Sequence, residues 1–438
     1  MQSKQQIMDP QPKKQRLQCE FILEIKKRRC GMTRANNDKD IPYCYEHRAT
    51  LGLDGQQDRK RVPCTLDPSH TVWEHELQAH LKKCNKLKLL HSNDGKPYFL
   101  KDCNVLRTTD VAVDKAAKDD YISRVLSIIQ NYSVGEVTPS SIKQNRVMED
   151  KRFPQLDSDD SIGKKYHAVQ QSSLIQNMLD LDIINTANTN NFVEFGCGRA
   201  ELSRYINQVL TATSFINNTL QDKPSHFVLV DRATNRMKFD NKMKKDVEEI
   251  TKNAQPPQVD RFRIDIKDLN LLPALHTDGS KYVAISKHLC GVATDLTLNS
   301  LVGKTENHSD FLQGACIAMC CRHVCNANSY INPGFIKSIL AESDTDMSYE
   351  EFFFALSKIA PWATSGTITN ESEEPTHFTK LSIEERIEVG LKARRIIDQG
   401  RCDWLKQKLD NDIFDVKLIR YVEPSVSLEN VALLIYRK

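Results

Sequence analysis

The residues with the most evident chemistry lie near the N-terminus. Cys19, Cys30, Cys44 and His47 form one set of soft ligands, spaced C-x10-C-x13-C-x2-H. Cys64, His70, His80 and Cys84 form a second, spaced C-x5-H-x9-H-x3-C. Zinc takes four nitrogen or sulfur ligands tetrahedrally in closed structural sites, and Cys3His and Cys2His2 are common sets. Each segment is too short and too polar to bury a core unaided. Metal binding worth roughly 10–16 kcal/mol would supply the missing folding energy. "HELQAHLKKC" has helical character, which puts His80 and Cys84 on one face and turns the competing His75 away from it. Neither set shows an open coordination position or a neighbouring general base, so both read as structural zinc. The plainer alternative for each is a scatter of buried cysteines.

Basic runs surround both sets: "KKQR", "KKRR", "RKR" and "HLKKCNKLK". Such a run is usually a solvated face. Two rigid basic modules ahead of a larger domain favour phosphate contacts. The net charge is only +3, so any nucleic-acid binding must come from local patches of this kind.

A second concentration of chemistry begins at "NFVEFGCGRAELSRY". An apolar run ends in Glu194, then Gly196-Cys197-Gly198, then a helix start. The glycines allow a tight turn and close approach of a ligand to the backbone. A dinucleotide fingerprint needs a third glycine in sixth place, where this chain has Glu201. An acidic residue two positions before the first glycine is instead typical of class I methyltransferases that use S-adenosylmethionine. Ala200 takes the place of that class's usual further glycine. Asp231 ends the next strand, "FVLVDR", and suits the two ribose hydroxyls of that cofactor. Asp265 follows "RFRI" and suits its adenine amino group. A strand-end cap is the alternative for each aspartate.

"YVAISKHLCGVATDL" supplies a fourth strand, with Lys287 and His288 at its tip and Asp295 opening the next helix. "ACIAMCCRHVC" supplies a fifth, carrying Cys316, Cys320, Cys321, His323 and Cys325. These fit a third metal cluster, a substrate-pocket lining, or plain packing. Ligands on adjacent residues at a strand end rarely close a tetrahedron. A cysteine nucleophile, as in pyrimidine C5 methylation, is a further reading.

The elements that must position these groups follow from periodicity. Short apolar runs alternate with helical stretches from about residue 166 onward, which argues for an α/β layered sheet. "DKAAKDDYISRVLSIIQNY" has helical spacing with Tyr121, Val125, Ile128 and Ile129 on one face, and 164–184 is helical as well. "DSDDSIGKK", 157–165, reads as a loop. The organisation expected is a disordered tail at 1–18, zinc modules at 19–50 and 60–90, a helical linker region at 91–160 and a methyltransferase domain at 161–438. The N-terminus lacks the apolar stretch of a secretory signal, and no run approaches a membrane helix. The expectation is an intracellular protein, cytoplasmic or nuclear, whose 13 cysteines serve metals or packing and not disulfides.

Taken together, these motifs resemble the eukaryotic tRNA 2′-O-methyltransferases that modify the fourth nucleotide of the acceptor stem. The resemblance rests on the Cys3His module, the CHHC finger, VEFGCGRAELSRY, KHLCGVATDL, the Cys320-Cys321 pair and the tail IIDQGR…YVEPSVSLEN, and runs from Cys19 to the C-terminus. Arg322 stands where that family usually has the first histidine of Cys-Cys-His-His-x-Cys. The resemblance implies a class I Rossmann-like fold behind two zinc modules, S-adenosylmethionine and two structural zinc ions as cofactors, and a tRNA acceptor stem as partner, with no membrane. An acceptor stem is A-form, so its recognition falls to shape, 2′-hydroxyls and phosphates. Lys287 is the candidate to orient or deprotonate the hydroxyl, Asp295 the alternate base and His288 a ribose contact. The rivals are a base methyltransferase using a cysteine of 320–325 and a non-catalytic RNA-binding adaptor with the same fold. Nothing in the sequence sets an oligomeric state.

Overall fold

The structure, a computed structural model, describes residues 16–438 apart from 25–26, 38, 54–60, 69, 107–110, 136, 140–144, 146–161, 186–190, 220–222, 236–237, 276–278, 305–306 and 365–376. Most of the tail expected at 1–18 and the first half of the loop expected at 157–165 lie outside those residues. The chain divides into two compact units, Met1–Asp94 and Gly95–Lys438.

The first unit contains very little regular structure, as expected where metal ligands replace a core. Strands β1 (Ile22–Leu23) and β2 (Arg28–Arg29) pair antiparallel ahead of helix α1 (Tyr45–Thr50). Strands β3 (Arg61–Pro63) and β4 (Thr71–Trp73) form a hairpin followed by helices α2 (Leu77–Leu81) and α3 (Asn85–Leu90). The two modules are tied together by Glu46, whose Oε1 accepts from the Thr71 amide at 3.2 Å and its hydroxyl at 2.9 Å.

The second unit is built on one sheet. Its elements run α4 (Lys118–Asn131), β5 (Thr138–Pro139), α5 (Ile162–Asp180), β6 (Asn191–Phe195), α6 (Glu201–Ile216), β7 (His226–Val230), α7 (Asp240–Ile250), β8 (Gln258–Phe262), β9 (Tyr282–Cys290), α8 (Val292–Val302), α9 (His308–Phe311) and β10 (Leu312–Cys320). Then follow α10 (Pro333–Ala341), α11 (Tyr349–Ile359), α12 (Ile383–Lys408), β11 (Phe414–Arg420) and β12 (Val431–Arg437). The sheet order is β5-β11-β12-β10-β9-β6-β7-β8, with β12 antiparallel to both neighbours and every other pairing parallel. This is the class I methyltransferase arrangement expected from the sequence, with the short β5 added at one edge. The order reverses between β6 and β9, and open α/β sheets bind ligands beyond the carboxyl ends of strands at such a switch point.

Alternation along the strands builds a core on each face. Phe192 of β6 packs with Phe227, Val283, Cys316 and Leu434, while Val193 packs with Val228, Ala284, Ala315 and Leu433 on the other side. A third core joins α4 to α10, α11 and α12. In α4 the buried face is Tyr121, Ile122, Val125 and Ile129, with Ile128 only partly covered. Among the described residues, no helix is long and apolar enough to cross a membrane.

From Gly95 onward, the described residues of the segment read as a helical linker, 91–160, belong to this unit. Phe99 bridges to Leu269, and the buried Asn104 side chain donates to the carbonyls of Ile266 at 2.6 Å and Leu269 at 2.8 Å. Apolar Tyr98, Phe99 and Leu106 cover one core, and α4 completes another.

Buried charges tie α12 to the loops beyond the sheet. Arg401, fully buried, pairs with Asp295 at 2.6 Å and Asp398 at 3.3 Å. Arg322, equally buried, reaches Asp398 at 2.7 Å and Glu429 at 2.5 Å, and Arg394 also grips Glu429 at 2.6 Å. Breaking a buried pair by removing one partner leaves an uncompensated charge. Arg401→Met is therefore expected to lower the unfolding free energy of the second unit by about 3–5 kcal/mol, read from urea denaturation monitored by circular dichroism. A loss under about 1 kcal/mol would mean that the network contributes little to stability.

Candidate functional site

The turn after β6 is shaped by backbone that side chains rarely adopt. Gly196 has φ 62° and Gly198 φ 51°. Ala200 takes φ 65°, ψ 47°, so an alanine holds the left-handed conformation usual for glycine. The turn is fastened to the neighbouring strand ends. Cys197 N donates to Val230 O at 3.0 Å, and Gly198 N to Asp231 Oδ2 at 2.7 Å. The other oxygen of Asp231 accepts from Ala233 N at 2.7 Å. Arg261 of β8 locks the outside of the turn, donating to Gly198 O at 2.9 Å and holding Asp240 with both remaining nitrogens. Asp265 caps the short turn after β8 through Lys267 N at 3.1 Å and lies 3.8 Å from Arg232.

Glu194 is buried beneath the turn and hydrogen-bonds the Ser203 hydroxyl of α6. Desolvation pushes its carboxyl up to about 7, against the pull of the Ser203 hydrogen bonds. Glu194, Gly196, Gly198, Asp231 and Asp265 thus gather at the carboxyl ends of β6, β7 and β8, as the sequence order requires.

Lys287, near the end of β9, is buried. Its Nζ lies 2.8 Å from His167 Nδ1 and 3.2 Å from His288 Nε2. Desolvation draws the Lys287 ammonium down to about 8, with Glu201 and Glu194 opposing. Burial and the Lys287 charge also lower His167. His167 was not marked in the sequence. It sits in the second turn of α5, among "KKYHAVQQSS", and only the packing of α5 over the sheet brings it to Lys287.

Asp295 does not face this cluster. It is fully buried in the first turn of α8, paired with Arg401 and accepting from Ile331 N at 3.3 Å. The expectation of an alternate base there is corrected on that ground: a carboxylate saturated by a buried guanidinium has no path to a hydroxyl. The cysteine cluster also splits. Cys320 and Cys321 gather with Cys290, Cys325 lies 3.2 Å from Arg401, and Cys316 points into the core. Arg322 turns inward to Asp398 and Glu429.

In the first unit the two ligand sets converge. The donor atoms of Cys19, Cys30, Cys44 and His47 all lie within 4.8 Å of one another, as do those of Cys64, His70, His80 and Cys84. His47 Nδ1 is 3.4 Å from Cys19 Sγ and 3.3 Å from Cys44 Sγ. His70 and His80 meet through Nε2 at 3.0 Å, and Cys64 and Cys84 through sulfur at 3.9 Å. Bonds of about 2.0–2.3 Å to a tetrahedral zinc require donor separations of roughly 3.3–3.8 Å, close to these. His75 is exposed and outside the cluster. Helix α2 ends at Leu81, so Cys84 reaches the site from a turn and not from the helical face expected for it.

Comparison with known proteins matches the sequence to a family. The model described as methyltransferase TRM13 matches residues 169–436, that of a CCCH zinc finger in TRM13 protein 17–48, and that of a U11-48K-like CHHC zinc finger 61–85. A protein of Vanderwaltozyma polyspora named tRNA:m(4)X modification enzyme TRM13 is 56% identical over 98% of this chain and 100% of its own. Proteins of the same name are 42% identical in Saccharomyces cerevisiae, covering 97% of each chain, and 31% identical in Schizosaccharomyces pombe, covering 87% of this chain and 97% of that one. A solved structure of the plantazolicin methyltransferase BpumL aligns over 74% of this chain and 97% of its own at 11% identity, with a TM-score of 0.25. Two zinc-finger domains and a methyltransferase domain therefore stand in one chain, and the chain belongs to the methyltransferase TRM13 family.

Proposed function

We propose that this chain transfers a methyl group from S-adenosylmethionine to the ribose 2′-oxygen of the fourth nucleotide of a tRNA acceptor stem, inside the cell. The observation that carries the reading is Lys287: a buried amine beyond the sheet's switch point, drawn down to about 8 and hydrogen-bonded by His167. Bound S-adenosylmethionine supplies an electrophilic methyl carbon on a sulfonium. The chain's own work is then to hold two reactants in line and to remove one proton.

Asp231 has two oxygens fixed by backbone N–H groups, and their remaining lone pairs suit a ribose diol. Asp265 is placed one strand further for an adenine amino group. Gly196 and Gly198 let the backbone approach the donor, and Glu194 props the turn from below. Lys287 takes the proton of the acceptor 2′-hydroxyl. His167 Nδ1 accepts from Lys287 and aims its free lone pair, while the exposed His288 beside it contacts the acceptor ribose in this reading. Base methylation through a cysteine of 320–325 gains no support from Cys325, which is buried against Arg401. In the first unit Cys19, Cys30, Cys44 and His47 hold one structural zinc, and Cys64, His70, His80 and Cys84 hold a second. The basic residues around them supply phosphate contacts.

The direct test uses a tRNA with 2′-deoxyribose at the fourth nucleotide. It should accept no methyl group from the purified chain, whereas methylation of it at the unmodified rate would refute the ribose reading. Lys287→Met should lower turnover by about 10²–10⁴-fold and leave donor affinity unchanged. Only the neutral amine accepts a proton, so the wild-type rate should rise with pH and level off above about 8, and the variant's residual rate should lack that rise. Asp231→Ala should instead weaken donor binding by about 1.5–3 kcal/mol in isothermal titration. Removal of residues 1–94 should leave donor affinity intact but flatten the salt dependence of tRNA binding, each lost phosphate contact taking about 0.9 from the log–log slope. An unchanged slope would assign the fingers another partner.

A further inference from the structure

Three thiols that the proposed reaction does not use meet beyond the ends of β9 and β10. Cys290 is the last residue of β9 and Cys320 the last of β10. A shift in strand register between Ile317 and Met319 brings them opposite each other, with their sulfurs 3.1 Å apart. Cys321 is the next residue, and along a continuing strand its side chain would point to the other face. It does not continue the strand. Its φ of 51° and ψ of 49° are left-handed, which swings the thiol back toward the other two. The three sulfurs end within 4.8 Å of one another, and none is in a disulfide.

The backbone around the cluster is held by contacts that do not involve sulfur. Gly291, with φ 50°, donates its N–H to Cys320 O at 3.2 Å. A Cβ at Gly291 would meet Val324 Cγ2 at 2.3 Å, so only glycine lets the two loops close around the thiols. The Cys321 N–H donates to Glu429 at 3.3 Å, and Arg322 and Arg394 fix that carboxylate. The left-handed conformation of Cys321 costs on the order of 1–2 kcal/mol, and its effect is to aim a third sulfur at one point.

Three convergent thiolates are a soft set that selects zinc over magnesium or calcium. Zinc accepts three protein ligands and leaves its fourth position to water in open sites. Cys325 is not the fourth ligand, because its sulfur faces Arg401. Cys290 is exposed, so the open corner faces solvent. We propose that Cys290, Cys320 and Cys321 bind a third zinc ion, separate from the two fingers, with water as fourth ligand. The ion cross-links the loops that follow β9 and β10 and so steadies the strand end that carries Lys287 and His288. This site does not depend on which atom of tRNA is methylated.

The test is a metal count on the full-length protein, purified without chelators under anaerobic conditions. Wild type should carry about three zinc ions per chain, and Cys290→Ser and Cys321→Ser about two each. Where a variant fails to fold, the unaltered protein gives the second measurement. Iodoacetamide should label the exposed Cys290 about ten-fold faster after chelation than before, since bound zinc blocks the thiolate. Two zinc ions in wild type, no drop in either folded variant, equal labelling before and after chelation, or a Cys290–Cys320 disulfide in the isolated protein would each overturn the proposal.

Discussion

Arg322, Arg394 and Arg401 are buried against Asp295, Asp398 and the partly exposed Glu429, and they share these partners. Each ion costs several kilocalories to desolvate, so the structure tolerates them only where every partner is in place. The partners come from α8, α12, the loop after β10 and the loop before β12. Arg401 also donates to Gly291 O at 3.2 Å, the residue that follows β9. One side of the network is therefore the long helix α12, and the other is the set of loops that carry the candidate chemistry. Such an arrangement fixes geometry more than it adds net stability. The position of the strand ends beyond β9 and β10 follows from it.

The same low-dielectric environment sets the charge state of the site. Glu194 and Lys287 are both pushed toward neutrality by burial, one upward to about 7 and the other downward to about 8. For Glu194 the effect supports a propping role, since a partly protonated carboxyl beneath the turn is met by the Ser203 hydroxyl and backbone. For Lys287 it supports a proton acceptor that works near neutral pH without a strongly basic environment. A single physical cause, burial, thus moves two groups of opposite charge toward neutrality.

Much of this was legible in the sequence because the signals were local. Cys44 and His47 are three residues apart, and Gly196 and Gly198 two, so spacing alone carries the geometry. Glu194, Asp231 and Asp265 were legible because strand ends in a parallel sheet all lie on one side. The rest depended on long-range packing. His167 and Lys287 are 120 residues apart, and nothing in the helix around His167 marks it. Cys290 was visible beside Lys287, but its meeting with Cys320 depends on the register of two parallel strands, which composition does not encode. Asp295 misled because a carboxylate in the first turn of a helix near a cleft looks the same whether it faces solvent or a buried arginine 106 residues away. Residues 95–106 read as linker because the groups they cover lie around Leu269.

The antiparallel strand β12 is inserted between β10 and β11, although it follows both in the chain. During synthesis β6 to β10 leave the ribosome before it, with the edge of β10 bare. That edge carries Ala315, Cys316, Ile317 and Ala318, an apolar run with unpaired backbone groups, and it is a template for pairing with any strand that arrives first. That edge of β10 has its partner only once Val431–Arg437 is in place, so closure of the sheet waits on a strand that comes later in the chain than all its other strands described here.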